Sequence, residues 1–413
     1  MKKKPLSRAE FFKNLIKEDK DTIVDAKKMN AIDFIPTGSW VLNQIIGDGS
    51  MTGSPGGYPR GHITELFGDE SAGKTTLGLL AIAEAQKAGG YGILVDFEQT
   101  FHPIYAEKLG VDLSEDKFMV SQPVHFQQGA RQIEKMLLMR PSIIVVDSVS
   151  AMTPKQLMEA DADEEMKVGI LARLISALLS RISKKLKTSD TSLIFINQLR
   201  SVIKKSKWDR GPDEESTGGR SLKYYSSVRI KLITSKIEKI ELISKVTGKK
   251  EKEPINVLVK ATVVKSKIDR PHLSGPIYIR FGEGVDNILS VVELAINLRV
   301  IKKNGSYLIF DTLNIQGKDN FRNALNENPK IFKKLQNSLV IKEDEQAKEE
   351  YKDVDDDTPP DETDEFYDSI AENFIDKEIK KKENKKSKDM VEEEEEGEEV
   401  VEEGEEGEEA KID

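Results

Sequence analysis

Short apolar runs alternate with amphipathic helical patterns between residues 62 and 197. Strand-like runs occupy residues 62–67, 91–96, 142–147 and 192–197, and helical patterns occupy residues 74–87, 127–139 and 168–185. Strands that alternate with helices in this way form a mainly parallel central sheet with helices packed on its faces. The pattern therefore predicts the α/β class.

The pattern changes after this region. Three strand-like runs follow at residues 227–234, 255–265 and 276–281, and the Lys- and Glu-rich stretch 236–253 between the first two predicts a projecting hairpin. From about residue 285 to 341 the pattern is mostly helical, with a short strand at residues 307–310. This combination is typical of a small α+β domain.

Near the N-terminus, residues 7–25 predict a charged amphipathic helix with Phe11, Phe12, Leu15 and Ile16 on one face. A helix this short is marginal by itself, so we expect it to dock on another surface. Four segments follow from these patterns: an N-terminal helical segment (1–34), an α/β core (35–284), a small C-terminal domain (285–341) and a tail (342–413).

Charge is distributed unevenly between the body of the chain and this tail. Residues 342–413 contain 33 acidic and 11 basic side chains, a net charge of −22; because the whole chain carries −10, residues 1–341 carry +12. The tail is poor in apolar residues, which predicts disorder.

Composition also limits the chemistry. The chain has no cysteine and four scattered histidines, which excludes disulfides and thiolate zinc sites. Any metal is therefore expected to be a hard cation bound by oxygen. No apolar run is long enough for a bilayer and the N-terminus lacks an apolar signal core, so we expect a cytoplasmic protein with no membrane partner.

Residues 68–75 fit the phosphate-binding pattern GxxxxGK[ST] in full, after a predicted strand and at the start of a predicted helix. In such a P-loop, backbone N–H groups hold phosphates, Lys74 reaches the β- and γ-oxygens, and Thr75 binds Mg²⁺. A chance glycine turn is the alternative. The predicted nucleotide-binding residues here are Gly68, Asp69, Glu70, Ser71, Ala72, Gly73, Lys74, Thr75 and Thr76.

Three other predicted strands end in polar side chains, at the edge where parallel sheets bind ligands. Asp147 is the predicted Mg²⁺ carboxylate. Glu98 could orient the attacking water if its strand neighbours the P-loop strand, and Gln198 could sense the γ-phosphate. Alternatively, the two acids could simply cap a loop or a helix, and Gln198 could be an ordinary amide at the end of a strand.

The stretch after Gln198 combines cations with a large aromatic residue and ends in glycines. It contains Arg200, Lys204, Lys205, Lys207, Trp208 and Arg210, followed by Thr217, Gly218 and Gly219. This composition suits single-stranded nucleic acid, because the charges follow the backbone and the planar group contacts bases. A solvated loop is the alternative, and the acids at 213–215 would repel phosphate unless they face away.

Together these motifs resemble the RecA-type recombinases, bacterial and phage (UvsX-like), from about residue 35 to 335. The most specific stretches are residues 68–77, 103–106, 144–154, 193–200 and 217–229. The resemblance implies a RecA-like core that binds ATP and Mg²⁺ at a subunit interface, forms helical filaments on single-stranded DNA and pairs that strand with homologous duplex. Single-strand-binding and mediator proteins become candidate partners. By the same resemblance, the N-terminal helix (1–34) would serve oligomerisation by docking on the neighbouring subunit. The acidic tail would compete with DNA for the basic body, an effect that salt would screen; a solubilising role is the alternative.

By position, the resemblance implies roles that the patterns alone do not assign. Tyr105 would stack on adenine, and Lys265 and Lys267 would reach ATP across the subunit interface. DNA-binding loops would lie at about residues 159–169 and 199–219, although the first is unusually acidic, and His102 replaces an acid near the adenine. The implied DNA contacts are Arg173, Arg200, Ile203, Lys204, Lys205, Thr217, Gly218 and Gly219.

Two other kinds of protein would have the same ATP site. A ring helicase is less favoured because Lys265, Lys267 and residues 217–229 match the recombinases. A filament scaffold that uses ATP only as a switch is less favoured because it would not need Glu98 to activate water.

Overall fold

The computed structural model describes residues 32–47, 56–158, 164–201, 214–243 and 250–350, together with Phe12, Leu15 and Lys17. These last three have helical backbone; the rest of the predicted N-terminal helix, and residues 351–413 of the predicted tail, lie outside the described residues. Met1–Glu345 forms one compact unit. In the second unit, Gln346–Asp413, the described residues 346–350 are helical. The predicted domain boundaries remain predictions.

A ten-stranded sheet forms the centre of the described fold, beside a small antiparallel pair of β1 (Phe34–Ile35) and β2 (Tyr58–Pro59). The strands of the large sheet are β3 (Ile63–Gly68), β4 (Gly92–Asp96), β5 (Phe118–Ser121), β6 (Ile143–Asp147), β7 (Ser192–Ser201), β8 (Glu214–Ser216), β9 (Val228–Ile243), β10 (Lys250–Ser266), β11 (Ser274–Arg280) and β12 (Gly284–Val285). Their order is β12-β11-β10-β9-β3-β7-β6-β4-β5, with β8 paired to the end of β7. Pairing is parallel from β9 to β5 and antiparallel from β9 to β12, which confirms the predicted α/β class.

Helices pack against both faces of the sheet. They are α1 (Trp40–Ile46), α2 (Lys74–Lys87), α3 (Pro103–Lys108), α4 (Phe126–Met136), α5 (Lys155–Met158), α6 (Glu164–Ser189) and α7 (Gly219–Tyr225). Side chains alternate between the faces along each strand: Leu94 and Val145 join the core under α2, and Ile93 and Ile144 join the core under α4 and α6. The predicted bounds of α2 are exact.

A small domain follows the sheet. It consists of α8 (Asn287–Asn297), β13 (Lys302–Asn304), β14 (Tyr307–Phe310), β15 (Leu313–Gln316), α9 (Lys318–Glu327) and α10 (Pro329–Glu350). Its core includes Val291, Phe321 and Leu335, all buried. The strand at 307–310 is confirmed, but it is the middle one of three.

Several elements extend beyond their predicted ends. β7 continues to Ser201 because residues 199–201 pair with 214–216, so the first three residues of the predicted second DNA loop lie in a β-ladder with residues near its end. Helix α6 begins at Glu164, so residues 164–169 of the predicted first loop are helical, and α10 continues past residue 341 to Glu350. Pairing of β9 with β10 as far as Ile243 and Lys250 confirms the hairpin.

Within the described part of the chain, no helix is both long enough and apolar enough to cross a membrane.

Candidate nucleotide-binding site

The loop between β3 and α2 turns tightly at Gly73. This residue has φ +76°, and a Cβ there would lie 2.2 Å from Cδ1 of Ile279, so only glycine fits without a shift. Gly73 caps α2 without a side chain, and the first turn of the helix has no acidic residue. The N–H groups of this turn are therefore available to an anion, as in a P-loop.

Lys74 is folded over the same loop. Its ammonium donates hydrogen bonds to the carbonyl oxygens of Gly68 (3.1 Å) and Asp69, and the residue is only 8% exposed. Burial lowers the pKa of Lys74, while Asp147 and Asp69 oppose that shift. A buried cation beside a helix N-terminus is a strong attractor for phosphate.

A cavity of about 410 Å³ lies in front of the loop. Ten of the predicted nucleotide-site residues line it: Glu70, Ser71, Gly73, Lys74, Thr75, Thr76, Glu98, Tyr105, Asp147 and Gln198. Gly68, Asp69 and Ala72 do not. Asp69 instead anchors the loop to β9, since its Oδ2 accepts a hydrogen bond from the backbone N–H of Thr234 at 2.8 Å. The sequence motifs thus converge on one site.

Thr75 and Asp147 form the part of the site suited to a cation. Thr75 Oγ1 donates a hydrogen bond to Asp147 Oδ2 at 2.6 Å. Burial raises the pKa of Asp147 to about 6; the Thr75 hydrogen bond lowers it, and the charges of Glu98 and Asp96 raise it further. A carboxylate in this environment would be stabilised by a cation, and a hydroxyl beside a carboxylate fits Mg²⁺.

Among the described residues, no group of three or more His, Cys, Asp and Glu side chains could hold a metal. A pair of protein oxygens is nevertheless sufficient for this ion, because Mg²⁺ commonly takes its remaining ligands from substrate phosphate and water.

Glu98 reaches the cavity by a different route from the predicted one. Its strand, β4, does not neighbour the P-loop strand β3, because β7 and β6 lie between them, so the condition set for Glu98 from the sequence is not met. The chain after β4 instead crosses the end of β6, where the N–H groups of Phe97 and Glu98 donate to the Asp147 carbonyl at 2.6 and 3.3 Å. Ser148 Oγ donates to Glu98 Oε1 at 2.5 Å, which orients the carboxylate.

Tyr105 lies on α3 at another wall of the cavity. Its hydroxyl lies 2.9 Å from Thr76 Oγ1, so the two side chains are hydrogen-bonded. His102 caps α3, with Nδ1 accepting a hydrogen bond from the Tyr105 N–H at 3.4 Å. Tyr105 is therefore held at its hydroxyl by Thr76 and at its backbone N–H by His102.

Lys265 and Lys267 do not line this cavity. Lys265 donates to the carbonyl oxygens of Lys223 and Tyr224 at 2.5 and 3.1 Å, and Lys267 donates to that of Tyr224 at 3.3 Å, all near the end of α7. Burial lowers the pKa of Lys265, and the charges of Lys267 and Arg229 lower it further. Their predicted action on ATP in another subunit remains a prediction.

The residues that close the predicted second DNA loop pack on α6. Gly218 has φ +94°, and a Cβ there would lie 2.9 Å from Cδ1 of Ile175; a Cβ on Gly219 would lie 2.9 Å from Cβ of Ala172. Arg173 lies between Ala172 and Ile175 in the sequence of α6 and is exposed. The turn of α6 that carries Arg173 therefore packs on Gly218 and Gly219 through its neighbouring residues.

Arg200 is exposed on β7, where the register places it opposite Glu215. Ile203, Lys204 and Lys205 lie outside the described residues.

Sequence reasoning missed one wall of the cavity. Val257, Ile279, Arg280, Phe281 and Gly282 line it from β10, β11 and the turn after β11. These residues belong to no motif, and only the antiparallel half of the sheet brings them to the P-loop.

Comparison with known proteins agrees with this geometry. The RecA N-terminal domain family matches residues 13–286 and the RecA C-terminal domain family matches residues 289–342. Protein RecA of Bacteroides thetaiotaomicron is 41% identical over 309 residues, 74% of this chain and 86% of the relative. Protein RecA of Thermus aquaticus is 38% identical over 317 residues, 76% of this chain and 86% of the relative. This chain therefore belongs to the RecA family of DNA-dependent ATPases, which act in recombination and repair.

Proposed function

We propose that this protein assembles as a helical filament on single-stranded DNA with bound ATP and Mg²⁺, and pairs that strand with homologous duplex. The observation that carries the proposal is the position of Gln198. It lines the same cavity as Lys74 and Glu98, and its strand continues directly to Arg200 at the start of the predicted second DNA loop. The residue that lines the ATP site and the first candidate DNA contact are thus two positions apart on one strand.

Each polar group in the cavity has a distinct task in this proposal. Lys74 and the first turn of α2 bind phosphate, and Thr75 and Asp147 hold Mg²⁺, which when bound offsets charge on the phosphates. Glu98 receives the Ser148 hydrogen bond on Oε1, which leaves Oε2 to orient a water and accept its proton. Gln198 donates its amide to the γ-phosphate. Tyr105 stacks on the base.

The DNA side of the proposal uses Arg173, Arg200, and the segment from Thr217 to Gly219, with Ile203, Lys204 and Lys205 completing the loop. Lys265 and Lys267 act on the nucleotide of the adjacent subunit, which fits their position outside the chain's own cavity. We further propose that the protein works in the cytoplasm with single-strand-binding and mediator proteins.

A joint-molecule assay tests this function. The protein is loaded on a labelled single strand with ATP and Mg²⁺, then mixed with homologous or unrelated duplex of equal length. We expect stable joint molecules with homologous duplex only, lost when ADP replaces ATP or when Lys74→Ala replaces the intact chain. Duplex unwinding that is independent of homology would contradict the proposal and favour a helicase.

A further inference from the structure

Glu65 is a fully buried carboxylate in the middle of the P-loop strand, and it does not line the nucleotide cavity. Asn197 Nδ2 donates to its Oε1 at 3.0 Å, and Arg229 Nε donates to its Oε2 at 2.5 Å. A buried charge is tolerated only when it is paired and hydrogen-bonded, and here each oxygen has its own donor. Glu65 thus links β3 to both neighbouring strands, β7 and β9.

The two donors also contact the end of the predicted second DNA loop. Asn197 Nδ2 donates to the Thr217 carbonyl at 2.8 Å, and Arg229 Nη2 donates to Ser216 Oγ at 3.3 Å. The Arg229 guanidinium is further fixed over the Phe67 ring, 4.5 Å from its centroid. Glu65 is therefore hydrogen-bonded directly to the two side chains, Asn197 and Arg229, that hold Thr217 and Ser216.

The same network reaches the nucleotide cavity. Asn197 Oδ1 accepts a hydrogen bond from the backbone N–H of Gln198 at 2.9 Å, and Gln198 lines the cavity. The amide of Asn197 is thus shared among Glu65, Thr217 and Gln198, with both Nδ2 hydrogens and Oδ1 in use. A displacement of the Gln198 backbone would therefore disturb the Asn197 side chain that holds Thr217.

We propose that Glu65 is a positioning residue that couples the ATP site to the DNA-binding loop by holding Asn197 and Arg229. It contacts neither ATP nor DNA. It fixes the orientation of the two side chains that join Gln198 to Ser216 and Thr217, so that DNA at the loop changes the rate of ATP hydrolysis. This inference rests on the proposed DNA-dependent function and names a residue on which that dependence relies.

Glu65→Gln is the direct perturbation, because it preserves size but leaves one oxygen and one NH₂ group. The new NH₂ group would face either Asn197 Nδ2 or Arg229 Nε, and both of these are donors. One of the two hydrogen bonds to residue 65 is therefore lost. The double variant Glu65→Gln with Asn197→Asp restores a donor and an acceptor between the two strands. It still removes the donor to the Thr217 carbonyl.

The matched control is Glu134→Gln, which removes a carboxylate of α4 that is paired with Arg181 and Lys185 of α6 and lies outside this network. The full chain and the three variants are compared by thermal unfolding, ATP hydrolysis without DNA, and ATP hydrolysis across a titration of single-stranded DNA. The ratio of the DNA-saturated rate to the DNA-free rate reports coupling, and a purely structural defect would not selectively lower it.

We expect Glu65→Gln and the double variant to keep DNA-free hydrolysis within about twofold while the stimulation ratio falls at least about tenfold, a normal size for coupling between two sites. Glu134→Gln should retain the full ratio. If Glu65→Gln does not fold, a folded double variant without stimulation supports the link from Asn197 to Thr217, on which the role of Glu65 depends.

Full stimulation in Glu65→Gln would overturn this inference alone, since the two hydrogen bonds of Glu65 would then be dispensable. Full stimulation in the double variant would do the same, since the bond from Asn197 to Thr217 would be dispensable. Absence of stimulation in the intact protein would instead overturn the proposed function and this inference with it.

Discussion

Replacing Glu98 with glutamine should abolish most ATP hydrolysis while leaving ATP binding nearly intact. The substitution preserves the length of the side chain, so Oε1 can still accept the hydrogen bond from Ser148 Oγ, which is 2.5 Å long in the intact protein. The second oxygen becomes an NH₂ group that cannot accept a proton from water. The defect is thus confined to the chemical step.

The size of the effect follows from the role of the group. A positioned general base contributes about 10²- to 10⁴-fold to a rate, which corresponds to roughly 3–5 kcal/mol of barrier. Ser148→Ala should cost less, about ten- to a hundredfold, because it removes one hydrogen bond to a charged group worth about 1.5–3 kcal/mol while retaining the base. The two variants therefore form a graded pair.

The assay is steady-state hydrolysis with saturating single-stranded DNA, combined with binding of a fluorescent ATP analogue. Glu98→Gln should lower kcat by at least about 10²-fold with little change in analogue affinity, and Ser148→Ala should lie between it and the intact chain. A kcat within about threefold of the intact chain in Glu98→Gln, well short of the loss of a general base, would refute the assignment of Glu98 and move attention to another cavity carboxylate.

Three further predictions concern the nucleotide site and the tail. Gly73→Ala should prevent tight binding of the same ATP analogue, because residue 73 has φ +76°, a conformation that strains any residue with a Cβ, and Ile279 Cδ1 would also have to move; normal affinity would contradict the P-loop geometry. Tyr105→Phe should raise KM for ATP by up to about tenfold, as expected for loss of one hydrogen bond to Thr76 worth about 0.5–1.5 kcal/mol; an unchanged KM would show that this bond does not support nucleotide binding. A chain ending at residue 341 should bind duplex DNA more tightly than the full chain at low salt, with the difference shrinking at 1 M salt, where the Debye length is about 3 Å; equal binding by filter retention would favour a solubilising tail.

The local motif predicted the nucleotide site better than it predicted the sheet around it. The exact bounds of α2 follow from short-range information: a glycine with positive φ at 73 ends the loop, and helix-forming residues follow to Lys87. The place of β4 in the strand order could not be predicted in this way, because it depends on the crossover connections and not on the residues of the strand. Glu98 consequently reaches the cavity through Asp147 and not through a neighbouring P-loop strand.

The second DNA loop shows the same limit. Its sequence is polar and basic, which predicts a loop directly after Gln198, yet β7 continues to Ser201 because a distant segment, 214–216, pairs with it. Glu65 could not be identified from the sequence either, because its role depends on residues far away in the chain. In the sequence it is a single acid inside an apolar strand, and its partners Asn197 and Arg229 reach it only through the pairing of the sheet.

ATP hydrolysis measured with and without single-stranded DNA, with the same samples imaged by electron microscopy, is the most direct test of this protein as a DNA-dependent recombinase. We predict strong stimulation by DNA together with helical filaments in ATP and Mg²⁺, and filaments without stimulated hydrolysis in Glu98→Gln. Hydrolysis indifferent to DNA, or closed rings in place of filaments, would contradict that function and favour a ring-shaped motor.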